Sequence, residues 1–274
     1  MLLKEIEYFL EEDVGHESYE EIVPYTNCKA EITVKEEGVL AGLEEAKQIL
    51  DYMDLQYSSE FMDGAKIKDG DTILTVGGAG AKILKAERLV LNFLTRMSGV
   101  ATLTNVFVTE ASKVNERVKV AGTRKTTPGF RKYEKKAIAI GGGDPHRFGL
   151  YETVIIKDNC IKLIGMENAI KRAKEKASFT RKIEVEVETI EDALRAAELD
   201  IDIIMLDNMP VVDVKECVRL LTEKGLRDGV TLEASGGINI QNLKDFASTG
   251  VDVISTGTIT HSAKGLGFSL NVVE

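Results

Sequence analysis

The chain has 274 residues, is 43% hydrophobic and 29% charged, and contains no low-complexity stretch, which excludes a disordered or fibrous protein and leaves room for one large α/β unit or two modest domains. A formal net charge of −10 and a pI near 5.1 exclude a nucleic-acid partner, because phosphodiester backbones demand a basic face. Apolar runs too short for a bilayer, a start (Met1-Leu2-Leu3-Lys4) without signal-peptide features, and Cys28, Cys160 and Cys217 in no Cys-x-x-Cys pair set the expectation of a cytoplasmic protein with no membrane partner, disulfide framework or structural zinc.

In the first part of the chain, Ala30–Val34 and Val39–Ala41 flank Lys35-Glu36-Glu37-Gly38 and read as a hairpin with glycine at the turn. Helical spacing of Leu43, Ala46, Ile49, Leu50 and Met53 predicts a helix over 43–53. Lys66–Lys68 and Thr72–Val76 read as strands around Asp69-Gly70-Asp71, with Gly77-Gly78 as the stop. Apolar positions from Ala81 to Met97 predict a long buried helix, which Ser98-Gly99 is expected to interrupt before a second helix over 102–113.

The second part is rhythmic. Short β-branched runs recur at Val118–Ala121, Val154–Ile156, Ile183–Val187, Ile203–Leu206, Val230–Ala234 and Val251–Ile254. Amphipathic segments such as Gly165–Ala177, Ile190–Leu199, Val212–Lys224 and Asn239–Ser248 lie between them, the pattern of βαβ units on a parallel sheet. Polar residues follow each run: Thr123-Arg124-Lys125, Lys157-Asp158-Asn159, Glu186 and Glu188, Asp207-Asn208, Ser235-Gly236-Gly237 and Thr256-Gly257. Chemistry collected at the carboxyl ends of successive parallel strands is the pattern of an α/β-barrel mouth, whereas an open doubly wound sheet concentrates it at one switch point. Because this part falls short of the about 250 residues of eight full units, six or seven strands are expected. The predicted architecture is therefore an N-terminal α/β sandwich domain over 1–105, into which 266–274 can pack back, and an incomplete six- or seven-stranded α/β barrel over 106–265.

Arg124, Lys125, His146, Arg147 and Lys157 sit on loops or strand ends of an otherwise acidic chain, an arrangement suited to a compact, multiply charged anion. Gly141-Gly142-Gly143 exceeds the needs of a helix cap and suggests that this backbone approaches a ligand or another subunit closely. Lys157 could be a Schiff-base nucleophile if desolvated, or a charged anion ligand; neighbouring Asp158 favours the charged form. Glu186 and Asp207 could hold Mg²⁺ bridging phosphate oxygens, or contact ribose hydroxyls. The alternation Ile183-Glu184-Val185-Glu186-Val187-Glu188 puts three glutamates on one face, and inside a barrel inward charges need partners. Ser235-Gly236-Gly237 and Thr256-Gly257 occupy the late-strand loops where barrels bind phosphate through backbone amides.

Seven segments in order carry a family resemblance: Thr123–Gly129 (Thr-Arg-Lys-Thr-x-Pro-Gly), Gly141–Arg147 (Gly-Gly-Gly-x-x-His-Arg), Ile156–Asn159, Glu184–Val187, Leu206–Asn208, Ser235–Ile238 and Thr256-Gly257. The series resembles quinolinate phosphoribosyltransferase, and the match extends from about Val34 to His261. The resemblance implies a homodimer with shared active sites, Mg²⁺ as cofactor, and quinolinate and phosphoribosyl pyrophosphate as substrates, giving nicotinate mononucleotide, pyrophosphate and carbon dioxide. It implies that Arg88 reaches quinolinate in the neighbouring subunit, and that Arg124, Lys125, His146, Arg147 and Lys157 surround the carboxylates and pyrophosphate. Glu186 and Asp207 would address ribose and metal; Ser235, Gly236, Gly237 and Gly257 would hold the 5′-phosphate; Lys125, Lys157, Glu186 and Asp207 would form the catalytic set. The chain departs from the family pattern at Glu12–Tyr19, at Gly122 and at Cys160. The alternatives are a paralogue acting on nicotinate or another acid, a barrel lyase using Lys157 as Schiff-base residue, and a non-enzymatic ligand-binding protein.

Overall fold

The computed structural model describes residues 1–15 and 26–273, which form two compact units: 1–103 with 139–141 and 263–274, and 104–138 with 142–262. Half of the Glu12–Tyr19 motif, from His16 to Tyr19, falls outside the described residues. Among the described residues no helix is long and apolar enough to cross a membrane.

The first unit contains α1 (Leu3–Val14), β1 (Asn27–Val34), β2 (Gly38–Val39), α2 (Leu43–Tyr52), β3 (Gln56–Ser58), β4 (Lys66–Ile67), β5 (Thr72–Ala79) and the first part of α3 (Gly80–Ser112). Ala30, Ile32 and Val34 alternate along β1 with no exposed surface, which marks it as a central strand with one face against the core. Its partners come from far away in sequence: β5 on one edge and the C-terminal strand Phe268–Val272 on the other, both antiparallel. The hairpin expected across Lys35–Gly38 does not form, because β1 is already paired on both edges and the two-residue β2 pairs with β4 instead. The Gly77-Gly78 stop is also overruled. Strand β5 runs on to Ala79, with Gly77 and Gly78 opposite Lys29 and Cys28 of β1. A side chain at Gly78 would meet Leu55 Cδ2 at 2.6 Å, and its φ of +150° leaves that position to glycine.

The largest departure from expectation is α3, one continuous helix of 33 residues with no break at Ser98-Gly99. Both residues serve packing. The Ser98 hydroxyl, fully buried, donates to the Ala41 carbonyl and accepts from the Ala41 amide, each at 3.0 Å. Gly99 leaves room for backbone: a Cβ there would lie 2.0 Å from the Lys264 carbonyl oxygen. Alanine at Gly99 therefore gains about 1 kcal/mol of helix propensity but must displace a chain segment. We expect Gly99→Ala to lower stability by a net of about 1–2 kcal/mol from overpacking, read as an earlier midpoint in urea unfolding. An unchanged or later midpoint would show that the segment yields freely.

The second unit alternates strand and helix: β6 (Lys119–Ala121), α4 (Arg131–Ile140), β7 (Val154–Ile156), α5 (Asp158–Ile164), α6 (Met166–Lys176), β8 (Ile183–Val187), α7 (Ile190–Glu198), β9 (Ile203–Asp207), α8 (Val211–Glu223), β10 (Thr231–Ser235), α9 (Leu243–Ala247), β11 (Val253–Ser255) and α10 (Thr258–His261). The expected β-branched runs all form strands, and these make one parallel sheet of six in the order β6-β11-β10-β9-β8-β7. Strands β6 and β7 are consecutive in the chain yet occupy opposite edges, the order of a barrel left open between them. The helices present apolar stripes to the sheet; in α8 these are Val214, Cys217 and Leu221, all fully buried. Helix α7 starts where Thr189 accepts the Asp192 amide at 3.1 Å, a standard N-cap.

Candidate active site

The register of the sheet decides which side chains face inward. Glu186 stands opposite Met205, Met205 opposite Glu233, and Asp207 opposite Ser235, while Ala121 pairs with Ser255. Residues paired across a ladder share a face, so the carboxyl ends of β8–β11 direct Glu186, Asp207, Ser235 and Ser255 into one cavity of about 370 Å³. Its lining adds Arg124, Lys125, His146, Arg147 and Lys157 from the adjoining loops. Thus eight of the residues singled out in the sequence converge there: Arg124, Lys125, His146, Arg147, Lys157, Glu186, Asp207 and Ser235. Gly236 and Gly237 follow Ser235 directly, and Gly257 follows β11. Arg88 lies exposed on α3, in the first unit.

The loop carrying Arg124 and Lys125 is bolted from α4. Thr127 donates through its amide and hydroxyl to the fully buried Glu134 carboxylate, at 3.0 and 2.7 Å. Arg131 donates to Thr126 Oγ1 at 2.9 Å and to the Arg124 carbonyl at 3.3 Å. On the other side, Thr260 Oγ1 donates to the Lys125 carbonyl at 2.7 Å. These anchors grip backbone and leave the guanidinium of Arg124 uncommitted. Its buried Nε has no hydrogen-bond partner among the described residues. Burial, and then the neighbouring Arg124 charge, lower the pKa of Arg147 from its ordinary value. Both arginines line the cavity, and an anion bound there would offset their mutual repulsion.

His146 and Arg147 sit on a loop fixed at almost every residue. The Asp144 amide donates to the Val120 carbonyl at 2.8 Å, the His146 amide to Asp144 Oδ1 at 2.7 Å, and Lys135 to the Pro145 carbonyl. Burial, followed by the charge of Arg131, lowers the pKa of Lys135 to about 8. Part of the glycine run before the loop has a reason within the protein itself. Gly142 takes a φ of +90°, and a side chain on Gly143 would meet Thr104 Cγ2 at 2.7 Å and Ile138 Cγ2 at 3.0 Å. Gly122 is explained in the same way, since a Cβ there would lie 2.5 Å from Ile138 Cδ1.

Lys157 is exposed, and its ammonium pairs with Glu186 Oε2 at 2.6 Å. That is the reverse of the desolvated setting a Schiff-base lysine needs. Asp207 Oδ2 accepts from Asn208 Nδ2 at 2.8 Å. Gly236 and Gly237 adopt φ of +93° and +63°, and a Cβ on Gly236 would fall 2.3 Å from Asn208 Oδ1. A Cβ on Gly257 would meet His261 Cδ2 at 2.9 Å and Lys125 Cδ at 3.1 Å. The amides of Gly236, Gly237 and Gly257 have no hydrogen-bond partner among the described residues, leaving three donors beside the cavity. Cys160 is half-buried in α5 with a free thiol.

Two further carboxylates belong to the site: Glu233, which the sequence did not single out, and Glu184, which the alternation of β8 put on an inward face without a role. Glu184 and Glu233 are 0% and 2% exposed on β8 and β10, and Glu233 lines the cavity. Their signal was a charged residue at an inward position of an otherwise apolar strand, which becomes decisive only once the barrel is drawn. Among the described residues, His146, Glu184 and Glu233 bring donor atoms within 4.8 Å of one another, as a metal site would. The hydrogen bonds favour another reading. The Arg147 amide donates to His146 Nδ1 at 2.8 Å, so Nδ1 is unprotonated and Nε2 carries the proton, 3.0 Å from Glu233 Oε2. No ring lone pair remains for a metal. Burial opposes a charge on His146, but the Glu233 hydrogen bond and the charges of Glu233 and Glu184 outweigh it and raise its pKa. The Arg147 amide acts against protonation at Nδ1, and the neutral Nε2–H form satisfies both neighbours. Glu184, with neither oxygen hydrogen-bonded, has its carboxyl pushed up to about 7 by burial and by the charge of Glu233.

The geometry is that of a cavity combining clustered basic groups with carboxylates, suited to anions. The family description "Quinolinate phosphoribosyl transferase, N-terminal domain" matches residues 16–98 and its C-terminal counterpart matches residues 100–271. A curated relative from Archaeoglobus fulgidus, named probable nicotinate-nucleotide pyrophosphorylase (carboxylating), is 47% identical over 253 residues, covering 92% of this chain and 97% of its own. The human nicotinate-nucleotide pyrophosphorylase (carboxylating) is 36% identical over 269 residues, covering 97% and 90%. The crystal structure of NadC from Streptococcus pyogenes superposes with a TM-score of 0.91 at 35% identity, covering 99% of this chain and 96% of that one. With both family domains matched in order and relatives well above 30% identity across most of the length, the chain belongs to the quinolinate phosphoribosyltransferase family.

Proposed function

We propose that the protein transfers the phosphoribosyl group of phosphoribosyl pyrophosphate to quinolinate and decarboxylates the adduct, giving nicotinate mononucleotide, pyrophosphate and carbon dioxide for NAD biosynthesis. The observation that carries this reading is one cavity lined by both Arg124 and Arg147, with Glu186 and Asp207 on the neighbouring strands. The paired guanidiniums suit the two carboxylates of a pyridine dicarboxylate, each through a fork of N–H donors. His146 belongs to the same wall, but both ring nitrogens are engaged within the protein, so its contribution is to shape the loop.

The ring nitrogen of quinolinate attacks ribose C1 as pyrophosphate departs, through a cationic, oxocarbenium-like centre. Glu186 and Asp207 place negative charge beside that centre, and Lys125 and Lys157 offset the charge growing on the leaving group. Loss of the carboxylate next to the quaternised nitrogen leaves a ylide that the ring itself stabilises, so no covalent nucleophile is required. The free amides of Gly236, Gly237 and Gly257, with the Ser235 hydroxyl, form a cradle for the 5′-phosphate. Glu186 and Asp207, the carboxylates at the cavity's strand ends, would hold Mg²⁺, a hard cation suited to oxygen ligands. When bound, it would supply further neutralisation of pyrophosphate.

The proposal includes a cytoplasmic homodimer in which Arg88, exposed on α3, serves the partner's site. The test mixes protein, Mg²⁺ and phosphoribosyl pyrophosphate with quinolinate or with nicotinate, and measures mononucleotide and carbon dioxide. Mononucleotide from quinolinate with equimolar carbon dioxide is the expected result. Turnover of nicotinate alone would assign the chain to a different acid.

A further inference from the structure

Glu233 lies on β10, 2% exposed, at the base of the anion cavity and outside the set of residues that the substrates would touch. Its Oε2 is 3.0 Å from His146 Nε2, and its Oε1 has no partner. His146 sits at φ +55°, a left-handed conformation that a side-chain-bearing residue holds only when its surroundings impose it. Three contacts impose it here: its amide to Asp144 Oδ1 at 2.7 Å, its Nε2 to Glu233, and its Nδ1 to the Arg147 amide at 2.8 Å. The last two are linked through the ring. A neutral imidazole carries one proton, so an acceptor at Nε2–H keeps Nδ1 free to receive the Arg147 amide.

We propose that Glu233 is a positioning residue for the second guanidinium: by accepting the Nε2 proton it locks the His146 tautomer, which anchors the Arg147 backbone and so sets where the Arg147 side chain presents itself in the cavity. This rests on the reading of that cavity as the quinolinate site. Arg147 Nη1 donates to the Thr153 carbonyl at 3.0 Å, which steadies one end of the side chain, and the His146 ring steadies the other. Without the Glu233 acceptor the opposite tautomer becomes available, and its Nδ1–H would confront the Arg147 N–H. The charged groups around the ring are Glu184 on β8, Lys135 on α4 and Arg147 beside it. Lys135 and Arg147 offer no acceptor, and neither oxygen of Glu184 is hydrogen-bonded to the ring.

Two conservative substitutions separate hydrogen bonding from charge. Glu233→Gln keeps an oxygen acceptor of the same reach but removes the charge; Glu233→Asp keeps the charge and withdraws the acceptor by one methylene. Loss of a bond to a charged acceptor predicts that Glu233→Asp raises KM for quinolinate about tenfold, with KM for phosphoribosyl pyrophosphate nearly unchanged. Glu233→Gln should restore the quinolinate KM to near the parent value. A parent-like KM in Glu233→Asp, or equal damage in both variants, overturns the proposal. The tautomer gives a readout independent of turnover. Of three histidines, His146 is assigned in ¹⁵N spectra of the free protein by its disappearance in His146→Asn. It should show protonated Nε2 and bare Nδ1 in the parent and in Glu233→Gln; protonated Nδ1 in the parent also overturns the proposal. If the parent fails to turn over quinolinate, the functional reading fails, while the nitrogen spectrum still decides the role of Glu233.

Discussion

Replacing Arg124 with alanine is expected to lower kcat/KM for quinolinate about a thousandfold, because it leaves a substrate carboxylate buried beside one guanidinium where two were arranged. The side chain of Arg124 makes no hydrogen bond among the described residues, whereas its carbonyl accepts from Arg131 and Thr126. Cutting the side chain therefore spares the loop. It also removes the like charge that depresses Arg147. The thermal midpoint should be unchanged or slightly higher, so that lost activity cannot be traced to lost fold. Steady-state kinetics together with a melting curve check both halves. Activity within tenfold of the parent would remove Arg124 from the substrate site.

The second large effect concerns the opposite wall. Glu186→Gln preserves shape and an oxygen acceptor for Lys157, which now lies 2.6 Å from Glu186 Oε2, but deletes the charge. A charge aimed at a cationic transition state contributes on the order of 3 kcal/mol, or about a hundredfold in kcat. The KM for quinolinate, set by the guanidinium wall, should move little. Measured kcat and KM separate the two walls. A kcat reduced less than threefold would mean that the carboxylate only tethers Lys157.

The rhythm of the second unit was readable because buried parallel strands must be β-branched and continuous. All six runs, and the polar residues at their carboxyl ends, fall where the pattern put them. The first unit was harder, because its pairings join distant segments. Local spacing around Lys35–Gly38 resembles a turn, yet β1 takes partners from 72–79 and 268–272. Ser98-Gly99 resembles a helix break, yet Ser98 is bonded to Ala41 and Gly99 admits the Lys264 carbonyl, so tertiary packing overrides local propensity. At the site, charged side chains on loops announce themselves by type. Glu233 does not, and the alternation of β8 marks Glu184 only as an inward charge, because the meaning of both comes from barrel register and burial. The role of His146 likewise depends on which ring nitrogen meets which neighbour, and a sequence carries no such information.

The proposed reaction requires the cavity to accept two carboxylates. Calorimetric titration with quinolinate and with nicotinate, which share the ring and differ by one carboxylate, tests it most directly. The second charge-assisted pair predicts at least about tenfold tighter binding of quinolinate, a preference that Arg147→Ala should abolish. Equal affinity for the two acids, or a preference that survives Arg147→Ala, would contradict the account.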